Sequence, residues 1–193
     1  MSQSINVVLA IGNTQICKSI SDALSYAGYP MVTGVNSVHG LLSAFAQNNP
    51  DVLICDHHIE TISTSKLVRR VRLGEIGFNP FVLTVLISES ASTEHIRPLV
   101  NCGADGVIVG PVTTGNVLKW MGAFEKGRKH WVVTAQYIGP DRRDGERKDA
   151  EQVPLISVPN PVQIKTSGKG RGLDQAIQIT SRLVRVNYKI RQA

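Results

Sequence analysis

The sequence predicts an α/β protein: a doubly wound, five-stranded parallel sheet of five strand–helix units, followed by a C-terminal extension. Two features of the first 130 residues predict it. Short, nearly continuous apolar runs alternate with stretches whose apolar residues recur at helical spacing. The connections between them are short. Strands apolar along their whole length are buried on both faces, and a sheet buried on both faces is parallel with helices covering it.

The elements follow in order. "INVVLAI" (5–11) is an apolar run of strand length. Beyond Asn13 and Thr14, residues Ile16, Ile20, Ala23, Leu24 and Ala27 recur at helical spacing, and "AGYP" ends that helix. "MVTGV" (31–35) is a second strand, and Asn36 or Ser37 can cap a helix through Leu41, Leu42 and Phe45. "DVLIC" (51–55) is the third strand and runs into Asp56, His57 and His58. "STSKLVRRVR" (63–72) places Leu67, Val68 and Val71 on one helical face, with its arginines expected on the other. "FVLTVLI" (81–87) is the fourth strand and "STEHIRPLVNCGA" (92–104) the fourth helix. "DGVIVG" (105–110) and "TTGNVLKWMGAFEKG" (113–127) complete the set. Right-handed crossovers then gather the loops at the C-terminal strand ends into a reactive edge, with Asp56 on the central strand.

Composition narrows the function classes. An apolar share of 42% suits a globular domain with a real core. No run approaches the roughly 18 apolar residues of a membrane span. "MSQSINVVLA" has no basic n-region or cleavage site, and Cys17, Cys55 and Cys102 lie far apart among apolar residues. Reduced core thiols in a cytoplasmic protein are expected. Residues 152–193 carry seven Lys/Arg against Asp174 alone, which is the whole net charge of +6. A neutral domain with a basic tail points that tail at an acidic surface.

The expected boundaries are a domain over 1–130, a linker over 131–172 and an amphipathic basic segment over 173–193. The linker reading rests on "QYIGPDRRDGERKDAEQVP" (136–154), polar and rich in turn formers. In the last segment Asp174 can cap a helix, and Ala176, Ile179, Leu183, Val186 and Ile190 step by 3, 4, 3 and 4, with Arg182, Arg185 and Lys189 off that seam. A helix so short needs a partner: a second copy, the preceding domain or another protein. The β-branched run "QITSRLVRVNYKI" reads alternatively as a strand.

Over about residues 5–128 the chain resembles the CheY-like receiver domain of bacterial response regulators, a flavodoxin-like (βα)5 fold. The (βα)5 order, "AGY" closing the first helix, "PDVLICD" and "GADGVIVGP" fall at that family's spacings. "YIGPDRR" is also similar to a short element that follows stand-alone receivers in some alphaproteobacteria. The family moves a phosphoryl group from a histidine kinase to an aspartate, and the resemblance puts that role at Asp56. It implies a phosphate-sensing hydroxyl at Ser88. Other positions depart from the pattern. Ile11 and Gly12 stand where the family has two metal-binding acids, Gly110 where it has a lysine, and Val107 where it has an aromatic switch residue. Attack on an anionic phosphorus needs Mg²⁺ to screen charge and a cation to hold the product.

The resemblance thus implies a degenerate receiver of two-component signalling: not an enzyme, without a cofactor, and using Mg only in residual phosphorylation helped by Glu89 or Glu60. Its expected work is as an adaptor contacting another signalling protein or itself through Ile179, Leu183, Val186, Ile190, Arg182 and Arg185. The alternatives are a working phosphoacceptor served by a histidine kinase, and a nucleic-acid binder acting through the tail. Two weaker expectations stand beside these. Cys55, His57 and His58 are residue types that bind Zn²⁺, but neighbours on an extended segment point opposite ways. Arg142, Arg143 and Arg147 form RRxxxR, similar to the arginines of cyclic-di-GMP-binding PilZ domains, though interleaved acids neutralise them.

Overall fold

The computed structural model describes residues 4–142, 153–169 and 172–191. The chain alternates β1 (Asn6–Ala10), α1 (Thr14–Tyr26), β2 (Met31–Val35), α2 (Val38–Asn48) and β3 (Val52–Asp56). A two-residue hairpin, β4 (His58–Ile59) and β5 (Ile62–Ser63), leads into α3 (Thr64–Arg72). Then come β6 (Leu83–Ser88), α4 (Thr93–Asn101), β7 (Gly106–Val109) and α5 (Thr114–Lys126). The main sheet has five parallel strands in the order β2-β1-β3-β6-β7. Strand order reverses between β1 and β3, so the crevice of this fold opens beside the end of β3.

Alternation along each strand builds two cores. Val7, Leu9, Ile54 and Val85 face α1 and α5 through Ile20, Leu24, Met121 and Phe124. Val8, Leu53, Cys55 and Leu86 face α2, α3 and α4 through Phe45, Leu67, Val68, Val71 and Leu99. The caps are local: Asn13 accepts from the amides of Gln15 and Ile16, Ser37 from Gly40, and Thr113 from Asn116.

The expected linker differs from the structure. Trp131–Val133 (β8) pairs antiparallel with Ile138–Pro140 (β9), and Trp131 also bridges Ile156. A short helix, α6 (Pro161–Thr166), follows Asn160, whose side chain caps it and donates to the carbonyl of Phe124. The physical reason is a third core. Trp131, Val133, Ile138 and Val158 bury Phe81 together with residues of the last helix. Residues 143–152 of the expected linker lie outside the described residues; the described residues on either side belong to elements that pack.

The last helix, α7 (Leu173–Ile190), is a helix and not a strand. It does not pack on the preceding domain through the seam read from the sequence. Leu173, Ile177 and Val184 are buried in the third core, while Ile179, Leu183, Val186 and Ile190 are exposed. Asp174 lies in the first turn, and the cap position is Gly172 at φ 91°.

α3 also departs from expectation. Arg72 is fully buried, donating to the carbonyls of Gly103, Pro80 and Val82, to Thr84 Oγ1 and to Asp105. Arg128 pairs with the other oxygen of Asp105, and the Trp131 ring lies about 5 Å from both guanidiniums, at 4.9 and 5.1 Å. Arg72 follows Thr64, Val68 and Val71 at helical spacing, which carries it onto the buried face and not the arginine face expected. Among the described residues no helix is long and apolar enough to cross a membrane.

Candidate functional site

Asp56 ends β3 at the centre of the sheet, opposite Ile87 of β6. Its carboxylate is half-buried and accepts a 2.8 Å hydrogen bond from the Gly12 amide. The backbone behind it is fixed by the hairpin: His57 N–H donates to Ile87, Thr64 N–H donates to His57, and the Thr64 hydroxyl donates to the Asp56 carbonyl. Burial raises the Asp56 pKa from its ordinary value; the Gly12 amide and nearby His57 oppose that, and Glu89 adds to it.

The positions around Asp56 divide. Gly12 is exposed, and a Cβ added there would stand 3.6 Å from Asp56 Oδ2, so this position does face the aspartate. Ile11 does not: it is 2% exposed and belongs to the core shared by α1 and α5. Gly110 holds φ +86° with open space where a side chain would project. A lysine there has room but a strained backbone. Ser88 is fully buried, and its hydroxyl donates to the Ser90 carbonyl at 2.8 Å. It is engaged within its own loop, with the Ser90 amide also directed at the hydroxyl at 3.4 Å. Val107 pairs with Leu86 and packs, partly buried, on the core of α2, α3 and α4.

A hard divalent cation needs several oxygen ligands. Among the described residues no group of three His, Cys, Asp or Glu is placed to hold a metal ion. Glu89 lies near enough to act on Asp56, but a third ligand is lacking among the described residues, and the residues present do not fit Mg²⁺. Glu60 turns at φ 54° and its carboxylate accepts from the Val38 amide at 3.4 Å, toward α2. Cys55 is buried, with its thiol pKa raised by burial, and His57 and His58 meet each other edge-on at 4.4 Å. The three do not converge on a point. Arg142 stacks on Tyr137 and donates to Asn101; Arg143 and Arg147 lie outside the described residues.

No protein-family model and no curated protein matches the chain. Solved structures do. The chemotaxis protein CheY4 of Vibrio cholerae is 21% identical, with 63% of this chain and 98% of that chain covered and a TM-score of 0.56. A CheY-like response regulator receiver domain from Methanospirillum hungatei is 18% identical, covering 63% and 93%, with a TM-score of 0.55. The receiver domain of a Pseudomonas aeruginosa sensor histidine kinase, solved with magnesium in its active-site cleft, is 16% identical, covering 61% and 94%, with a TM-score of 0.52. Sheet order, the aspartate at the end of β3 and these matches agree: the chain has the CheY-like receiver fold.

Proposed function

We propose that the protein is an atypical receiver of two-component signal transduction, working in the cytoplasm as a protein-interaction adaptor instead of through Mg²⁺-dependent phosphorylation. One observation carries this reading. At the two positions where the fold's metal acids would stand, one residue is buried in the core (Ile11) and the other brings only an amide to Asp56 (Gly12). Gly110 and the loop-engaged Ser88 hydroxyl support it, since product charge and phosphate sensing both lack a ready group. The adaptor half of the reading is supported by α7, which presents an apolar and basic surface outward.

The test is direct. Acetyl phosphate with Mg²⁺ should leave the protein essentially unlabelled. Robust labelling that disappears in Asp56→Asn would replace this reading with that of a working phosphoacceptor.

A further inference from the structure

α7 has two apolar faces, and the fold uses one. Leu173, Ile177 and Val184 are buried against Trp131 and Phe81. Ile179, Leu183, Val186 and Ile190 lie on the other side of the helix and are 53%, 55%, 55% and 68% exposed. The inner face already stabilises the helix against the domain, so the outer stripe is not needed for folding. A continuous exposed stripe of four branched aliphatic side chains at 4, 3 and 4 spacing is the seam by which one helix packs on another.

Charge selects the occupant. Arg182, Arg185 and Lys189 are exposed along one flank of the stripe, and Asp174, in the first turn, is the one acid in the helix. A second copy would bring the same row of cations. In an antiparallel pair, like flanks meet; in a parallel pair, the cations meet a flank without acids. An acidic helix instead meets the cations with carboxylates while covering the stripe.

We infer that the outer face of α7 is a docking site for an acidic amphipathic helix of another protein, held by Ile179, Leu183, Val186 and Ile190 and oriented by Arg182 and Lys189. This rests on the adaptor reading and names the chemistry of its partner. A four-residue stripe is small beside the roughly 800 Å² per partner of a stable interface, so the contact is of the transient, rapidly exchanging kind.

The test uses the full chain and two labelled synthetic peptides, each a three-heptad helix with Leu and Ile at the seam. One carries Glu at the flanking positions and the other Gln. Fluorescence anisotropy should show the Glu peptide binding at least tenfold more tightly at low salt, with the difference shrinking as salt rises. Leu183→Asp with Val186→Asp should weaken the Glu peptide at least tenfold with the thermal melt unchanged, because both residues face solvent. Arg182→Gln with Lys189→Gln should bring the two peptides close together in affinity. Equal binding of both peptides, or binding of neither, overturns the inference. So does a dimer in sedimentation that Leu183→Asp dissolves, since it makes a second copy the occupant. Preference for a DNA duplex over the Glu peptide, lost with the two cations, overturns it in favour of nucleic acid. Failure here leaves Asp56 unlabelled by acetyl phosphate, whereas failure of the adaptor reading shows as labelling; the two are read separately.

Discussion

Asp56 is a half-buried carboxylate held by one backbone amide, and its energetics follow from that. Burial raises its folded pKa, so the folded state holds the proton to higher pH than the unfolded chain, whose Asp titrates near 3.9. Above that pH an ionised, half-buried Asp56 therefore subtracts from stability; below it both states are protonated and the penalty is gone. Asp56→Asn keeps an oxygen for the Gly12 amide and should raise Tm at pH 7, with the gain fading below about pH 4. A Tm lowered by the substitution at pH 7 would mean that the ionised carboxylate stabilises the fold. Positions 11 and 12 are not equivalent. Gly12→Asp places a second carboxylate beside Asp56 and should give Mg²⁺ affinity measurable by calorimetry. Ile11→Asp buries a charge in the core and should cost about 2–4 kcal/mol in urea unfolding. If the Gly12 variant binds no Mg²⁺, the side chain at position 12 does not face the aspartate.

At the scale of elements, the alternating core pattern was legible because strand and helix periods differ and the first 130 residues keep each period cleanly. The place of Asp56 at the tip of β3 was equally legible, because the apolar run before it has strand length. What the sequence concealed lay in choices between two faces. α7 carries apolar residues on both sides, and the regular seam of Ile179 to Ile190 outscored the less regular Leu173, Ile177 and Val184 that the fold buries. Arg72 was hidden by its residue type, since arginine on an apolar face is rare without a buried acceptor set such as the one around Asp105. Ser88 was correctly placed at the end of β6, but the turn of its hydroxyl into its own loop depends on a local hydrogen bond that no pattern shows. β8 and β9 were missed because their three-residue strands are too short for any period. Trp131 makes them count. It is fully buried with the Arg72 and Arg128 guanidiniums near its ring, and Trp131→Ala should cost about 3–5 kcal/mol in urea unfolding. A loss under 1 kcal/mol would mean the hairpin adds little to the third core.

Across the whole molecule, the extension is tied to the end of the sheet opposite Asp56. Lys165 of α6 donates to Asp51 at 2.7 Å, and Asp51 also accepts from the Asn6 amide. Both partners of the ion pair are largely buried, with side-chain exposures of 12% and 4%. Burial raises the Asp51 pKa, while the Lys165 ammonium and the Asn6 amide oppose it. Removing one charge of such a pair leaves the other without compensation. Lys165→Met should therefore cost about 3 kcal/mol, and adding Asp51→Asn should recover much of it, as a double-mutant cycle would show. Independent effects of the two changes would mean the pair contributes no coupling.

The third core joins Phe81 to residues as distant as Ile177 and Val184. During synthesis, Phe81 leaves the ribosome long before Trp131 and α7 exist to cover it. The early sheet must wait with an aromatic ring and the Arg72 guanidinium uncovered at one end, which is when a nascent chain is most open to chaperones and to self-association. Closure comes from contacts of long sequence separation, which form slowly. Burial of the Trp131 indole is thus expected late in refolding, after the main sheet has formed.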